Sequence, residues 1–449
     1  MVVFKEQIQG IKAKLPQSKK VDSNLKVFGA ESHQYRLGNP ATEAEVLSFE
    51  QKYAISLPAC YRAFISQVGN GGISFANSAA GPFYGIYPLG ENVDEPGGHN
   101  TVECLNNDCV IFPDMPDAYW QSLNAIIDGN ENIPDEVYEK ELSKIFGGIL
   151  PIGSQGCAYI HGIVLNGDYR GRVVNLDLDR QKPRFAFEKN FLDWYERWLD
   201  EVISGELLSN SPSWFGYTMG GSITELLNAF QHANAADQKI ECLKGILNKQ
   251  QLDTTAIKFI EDQTFECNGE VKTMLLQVLS KFDYEKAKPY LIELAKSDLL
   301  SVAQFIYWYA KDRSAEWFNV ISENIAGIDK EETLRYCTYL LKESNMDYGH
   351  LIIPFTQHND EKIRAAAYYA LGQLDNKKEL VDTFINGLHD NSNRVILNTL
   401  QALSGVKDAQ LLEHYKRLAE KFPEEQDYIL SNLNHRLEDY GLTNRTILD

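Results

Sequence analysis

The sequence has little of what a membrane span, a metal centre or a familiar catalytic site requires. No apolar run reaches the roughly eighteen residues of a membrane helix, so no membrane partner is expected. Cysteine is sparse: seven in 449 residues, an odd number with no regular framework. That pattern points to free thiols in a reducing compartment. The opening "MVVFKEQIQGIKAKLP" is charged too early, and is too short of apolar residues, to read as a secretory signal. A cytoplasmic location is the resulting expectation. Positive charge is also scarce, with 43 Lys and Arg against 63 Asp and Glu and a formal net charge of −20. A nucleic-acid binder displaces counterions with basic patches, so direct nucleic-acid binding is not expected.

Catalytic and metal signatures are missing too. The nine histidines form no His-Glu-x-x-His, and there is no phosphate-binding loop, no Gly-x-Ser-x-Gly and no Cys-x-x-Cys. Cys104 and Cys109 lie near Glu103 and Asp108, but a structural metal needs four good ligands. Asn175, Asp177 and Asp179 alternate along a strand-like run and read as its polar, water-facing side. His161 reads as a strand residue with local hydrogen bonds. Ser154 and Cys157 lie near turns without a His-Asp pair to activate them. The expectation is a protein that is not an enzyme, with no catalytic residue, metal or cofactor.

What is present changes character near residue 210. Downstream, apolar helix cores begin at Ile240, Val271, Val302, Leu334, Ile363, Val395 and Tyr428, a spacing of about 31 residues. An amphipathic stretch precedes each, giving about seven helix pairs. One pair cannot bury both its apolar faces, so the pairs should stack as a solenoid. "HNDEKIRAAAYYALGQL" (358–374) and "HDNSNRVILNTLQALSGV" (389–406) resemble HEAT-type repeats, with Asp360 and Arg364 placed as a turn carboxylate and its basic partner.

Upstream, Thr42 and Glu45 have capping-box spacing before a helix carrying Val46, Phe49 and Tyr53. A second helix opens at Pro58, buries Tyr61, Phe64, Ile65 and Val68, and ends where Gly69 can turn left-handed. Strands are expected at "ISFAN" (73–77), "FYGIYPLG" (83–90), 148–155, 157–166 and 171–179, with Asn166–Gly171 as a hairpin loop. A closing helix presents Phe191, Leu192, Trp194, Tyr195, Trp198, Leu199, Val202 and Ile203.

This order resembles the SUKH superfamily of Syd-like, cell-wall-regulator and bacterial immunity proteins. The residues that carry the likeness are Phe49-Glu50, then Leu57-Pro58 with Tyr61-Arg62 and Phe64, then Asn70-Gly71-Gly72. "ILPIG" (149–153), a strand hairpin and the tryptophan-bearing helix follow. Cys60 and a long insertion at 91–147 depart from the pattern. The expected organisation is a lead segment (1–35), a SUKH-like α+β domain (36–210) with an antiparallel sheet and packed helices, a linker (211–222), and an all-α HEAT-like solenoid (223–449).

The insertion holds the one unusual constellation. Between Glu91 and Glu141 there are thirteen carboxylates and one basic residue, Lys140. Residues 27–218 together net −14. Glu91, Asp94, Glu95, Glu103, Asp108, Asp114, Asp117, Trp120, Asp135, Glu136 and Glu139 are the candidate partner-binding residues, with Phe112, Tyr119 and Tyr138 interleaved. The other reading is a solvated loop with a helix or two packed by those aromatics. The resemblance implies a protein partner, such as a basic toxin domain, neutralised by blockade of its positive face. A regulatory scaffold gathering several clients is the alternative. Arg335, Arg364 and Arg394 mark a weaker second surface on the solenoid.

Overall fold

The computed structural model describes residues 4–98, 101–209, 215–422 and 427–449. It divides into two compact units, Met1–Gln251 and Leu252–Asp449. The first is α+β and the second is helical.

In the first unit the helices are α1 (Lys5–Val21), α2 (Ala30–His33), α3 (Glu43–Tyr53) and α4 (Ala59–Gln67). They continue as α5 (Thr101–Asn106), α6 (Asp117–Asp128), α7 (Asp135–Ile145), α8 (Phe191–Ile203), α9 (Glu206–Ser209), α10 (Ile223–His232) and α11 (Ala236–Leu247). Strands β1 (Ile149–Gly156), β2 (Tyr159–Val164), β3 (Val173–Asp177) and β4 (Arg184–Phe185) form an antiparallel meander in sequence order. Leu150 faces Ile163 and His161 faces Asn175 across the ladders. Thr42 caps α3 as its spacing predicts: its hydroxyl accepts from the Glu45 amide while the Glu45 carboxylate accepts from the Thr42 amide over 2.7 Å.

Side chains alternate across the strands, and each face of the sheet meets its own core. Ile163 and Val173 join Tyr61, Phe64, Tyr195 and Trp198 on the side of α1, α3, α4 and α8. Ile160, Val164, Val174 and Leu176 join Trp120, Ile127 and Phe146 on the side of α6 and α7. Gly162 sits in the second layer because a Cβ there would lie 2.4 Å from Ile149 Cγ2.

Four local expectations are corrected. "ISFAN" is not a strand: Phe75–Asn77 is a short 3-10 turn with Ala76 and Asn77 at φ 50° and 57°. "FYGIYPLG" contributes only an isolated bridge between Ala79 and Ile86. Gly69 does not turn left-handed; Gly71 does, at φ 72°. Gly69 is instead confined by space, since a Cβ would meet Leu37 Cβ at 2.9 Å. The polar side of β3 does not face water, because Asn175 and Asp177 are buried.

The lead segment is also part of this unit. In α1, Ile8 and Ile11 are buried, and Lys14 Nζ reaches Glu196 and Asp200 of α8 at 2.8 Å each.

The second unit contains α12 (Thr254–Glu266), α13 (Gly269–Phe282), α14 (Tyr284–Leu294), α15 (Leu299–Tyr309), α16 (Phe318–Asn324) and α17 (Glu331–Glu343). After them come α18 (Gly349–Ile352), α19 (Glu361–Leu371), α20 (Val381–Leu388), α21 (Asn393–Ala402), α22 (Leu411–Lys421) and α23 (Asp427–Glu438). The second helices of successive pairs, α13, α15, α17, α19, α21 and α23, pack on one another in series. Leu276, Ile306, Leu334, Leu371 and Leu400 are buried along that stack. This is the solenoid-like solution to amphipathic pairs that cannot bury themselves alone.

Candidate functional site

The acidic insertion is a built layer of the domain. Helices α6 and α7 carry Trp120, Ile127, Tyr138 and Ile145 on the faces turned to the sheet. Trp120 is only 7% exposed, and its indole N–H donates to the Arg180 carbonyl over 3.2 Å. The Tyr119 hydroxyl donates to the Val110 carbonyl at 3.0 Å, and its ring lies 5.3 Å from that of Phe112. Glu103, Asp117, Asp135 and Glu136 are exposed on helices, and Asp94, Glu95, Asp108 and Asp114 on turns and loops, while Glu91 and Glu139 are half-buried. The Glu95 carboxyl lies 3.4 Å from the Tyr87 hydroxyl, and desolvation raises its pKa to about 7.

Some of this charge is answered locally. Asp117 meets Lys182 at 2.6 Å, Asp128 meets Arg180 at 2.7 Å, and Glu141 meets Lys144 at 2.6 Å. No other carboxylate between Glu91 and Glu141 has an ion-pair partner among the described residues. Asp135 and Glu136 occupy the first turn of α7, where the helix dipole favours negative charge. Trp120 is therefore removed from the set of surface contacts. Its ring is spent holding α6 on the sheet, and the same holds for the half-buried Phe112, Tyr119 and Tyr138.

The residues that carry the family likeness are mostly structural. Glu50 Oε1 accepts from the Leu57 amide at 2.8 Å, and Arg62 pairs with Glu43 at 2.5 Å. Cys60 is buried with its sulfur 3.7 Å from the Gly171 carbonyl.

No group of three His, Cys, Asp or Glu among the described residues is placed to hold one metal ion. Burial pushes the Cys104 and Cys109 thiols up to about 11, so both are protonated at neutral pH. A cleft of about 1060 Å³ runs between α8 and α10, but its buried charges are engaged. Arg197 contacts Glu188 at 2.8 Å and Glu201 at 2.6 Å, and Lys249 contacts Glu206 at 3.0 Å.

A polar cluster at the edge of β1–β3 was not anticipated. His161 is fully buried, with its Nδ1 3.0 Å from Asn175 Oδ1. Gln155 Nε2 also donates to that oxygen, at 2.9 Å. The His161 ring packs edge-on to Trp194 at 4.9 Å, and burial lowers its pKa to about 3. It is a neutral hydrogen-bonding histidine. Tyr217 closes the cluster by donating to Gln155 Oε1 at 2.9 Å. The only signal in the sequence was the run of polar residues on a strand between apolar neighbours.

On the second unit, the arginines flagged from sequence make local pairs or stay exposed. Arg364 bonds Asp390, Arg335 lies 3.5 Å from Glu331 one turn earlier, and Arg394 is exposed. An aromatic cluster lies on α15 and α17: the Tyr307 ring is 5.4 Å from Tyr339, and Trp308 is 6.1 Å from Tyr336. Trp308 is exposed.

The first unit is thus a short antiparallel meander clasped between helices. Residues 40–197 match the SMI1 / KNR4 family (SUKH-1), and this part of the chain is a SUKH-1 domain. The match covers about a third of the chain and excludes α1, α2 and everything from α9 onward. Comparison with curated proteins finds no match.

Proposed function

We propose that the protein is a non-enzymatic binding module of the immunity type, acting in the bacterial cytoplasm to neutralise a basic toxin by covering its positive face. The observation that carries this reading is the acidic layer of residues 91–141, whose aromatics face inward and most of whose carboxylates face water. A nuclease toxin is the partner of best-matched chemistry, because its substrate demands a basic surface. A rigid negative face accelerates encounter with such a surface about 10–1000-fold at low salt. Blockade then needs no reactive group. Anchoring energy must come from residues other than Trp120.

Co-expression with the product of the adjacent gene tests the reading, through co-purification and loss of toxicity. Asp94→Asn, Asp114→Asn, Asp135→Asn and Glu136→Gln together should slow association about tenfold at low salt. Asp114 is best neutralised as Asn, since it sits at φ 58° and Asn tolerates that conformation. An association rate that ignores both salt and these changes rejects the acidic docking face.

The second reading is a scaffold that gathers several cytoplasmic clients on the helical unit. Exposed Trp308 and Tyr369, with the half-buried Tyr307, Tyr336 and Tyr339, favour it, because aromatic side chains dominate protein-binding hot spots. Trp308→Ala should then weaken several clients together and leave a toxin complex intact.

A further inference from the structure

We propose that the polar cluster of the SUKH-1 sheet is a receptor for an aromatic–glycine–aromatic turn. In this chain Phe215-Gly216-Tyr217 occupies the receptor in cis, and a partner protein carrying such a segment docks by displacing it.

The floor is formed by Gln155, His161 and Asn175, all buried, with Trp194 and Arg197 of α8 as one wall. The three-residue strap comes from outside the family-matched region 40–197. By composition it reads as linker, yet it is seated in detail. Phe215 is buried; its ring lies 5.7 Å from Trp194, and the Arg197 guanidinium sits 5.1 Å from its centroid. Gly216 has φ +85°, and a Cβ there would come within 3.2 Å of Trp194 Nε1. Only glycine combines that conformation with that approach. Tyr217 then reaches Gln155 Oε1.

The floor is oriented for an incoming donor. Asn175 Nδ2 donates to the Arg184 carbonyl at 3.2 Å, which turns its oxygen toward His161 and Gln155. Gln155 Nε2 is committed to Asn175 and to the Ile160 carbonyl at 3.2 Å. Its oxygen is left facing the strap.

The seat also holds polar atoms without partners. The Trp194 indole N–H and His161 Nε2 belong to fully buried side chains and have no hydrogen-bond partner among the described residues. His161 Nδ1 lies 3.0 Å from Asn175 Oδ1 and 3.1 Å from Gln155 Nε2, so the role of its Nε2 follows from the tautomer. Trp194 Nε1, beside Gly216, is an unused donor suited to a peptide carbonyl. A buried polar group without a partner costs about 1–3 kcal/mol, so a segment whose carbonyl satisfied it would compete with the strap. Phe215 and Tyr217 seat the strap through their rings and through the hydrogen bond to Gln155 Oε1. A cis occupant closed about 99% of the time lowers the apparent affinity of a competitor roughly a hundredfold.

The test uses the full chain and a fluorescent peptide with the sequence of residues 213–219, SWFGYTM. Fluorescence anisotropy is measured on the wild type, on Phe215→Ser/Tyr217→Ser, and on Gly216→Ala, which keeps both rings but blocks the backbone approach. Both strap variants should bind the peptide at least about tenfold more tightly than the wild type. Gln155→Ala added to Gly216→Ala should abolish that gain. Replacing both aromatics of the peptide by Ser should do the same. If either strap variant keeps its near-ultraviolet circular dichroism yet binds no peptide, the floor is a closed core and the proposal falls. Binding that survives Gln155→Ala also overturns it. Neutralising Asp135 and Glu136 should leave peptide binding unchanged, which separates this receptor from the acidic face.

Discussion

Arg364 and Asp390 join neighbouring helix pairs by a two-pronged contact, with Nε to Oδ2 and Nη2 to Oδ1 both at 2.8 Å. The same guanidinium donates to the carbonyls of His358 and Asn359 at 2.8 and 3.0 Å. Asp360, the partner suggested by spacing, caps α19 through the Lys362 amide instead. One arginine thus fixes the turn before its own helix and the turn of the next repeat.

Arg364→Ala should destabilise the helical unit by about 2–3 kcal/mol, the scale of charge-assisted hydrogen bonds lost from a mostly buried site. Arg364→Lys should recover less than half, because an ammonium cannot form the fork. Burial works to raise the Asp390 pKa, but Arg364 and the Ser392 amide outweigh it and hold it below its ordinary value. The contribution should be complete above about pH 4 and lost only as pH falls through the lowered native pKa. Urea denaturation at pH 7 and pH 3 checks both statements.

Two histidines give the first unit a different pH dependence. Burial lowers His33 to about 4 and His161 to about 3. In the unfolded chain each titrates near about 6.5. As pH falls from 7, the unfolded state takes up protons that the native state refuses, so stability falls. The loss runs from about 6.5 down through the two native values, at a limiting slope of about 1.4 kcal/mol per pH unit for each histidine. His161→Gln should flatten the profile between pH 6 and 4 by close to one proton, whatever it does to stability at pH 7. Parallel profiles for variant and wild type would contradict the buried neutral state.

Trp120 separates packing from recognition. Trp120→Ala empties the core between α6 and the sheet and should cost about 3–5 kcal/mol. The denaturation midpoint should drop with or without a partner present. A stable variant that only loses partner affinity would return Trp120 to the binding surface.

The parts of the fold legible in the sequence are those fixed by local chemistry. The Thr42–Glu45 box, Pro58 before α4, and the apolar faces of α8 and the downstream pairs all lie within a few residues of their causes. What went unread depends on distant partners. The lead segment carried no assigned element, yet α1 forms there and runs through Pro16, with Ile8 and Ile11 buried and Lys14 paired to carboxylates on α8. Phe75 and Ile73 suggest a strand, but no neighbouring strand is offered there and Phe75 stays 59% exposed. Gly85 needs φ +99° with the Ala79 carbonyl against it, which limits its segment to a single bridge. Asn175 and Asp177 look solvent-facing until Tyr217, some forty residues later, closes over Gln155 beside them. The acidic segment announced its charge, but its position as the second helical layer follows only from how Ile160, Val174 and Leu176 must be covered.

Arg197 makes the sharpest energetic prediction. Its side chain is 10% exposed and holds Glu188 and Glu201 together. Burial works against its charge, but the two carboxylates outweigh that and raise its pKa. Arg197→Met would leave two carboxylates facing each other in a site that has lost its cation. The expected loss is about 3–5 kcal/mol, the cost of stranding buried charge. The triple variant Arg197→Met/Glu188→Gln/Glu201→Gln removes the stranded charges with the cation and should recover most of that loss. Gly220→Ala should also destabilise, since its Cβ would fall 2.0 Å from Arg197 Nε and force the guanidinium off its partners. Chemical denaturation of the four proteins orders them: wild type, triple variant, and then the two single variants. A triple variant no more stable than Arg197→Met would mean that the arginine acts through packing on Phe215 and not through its charge.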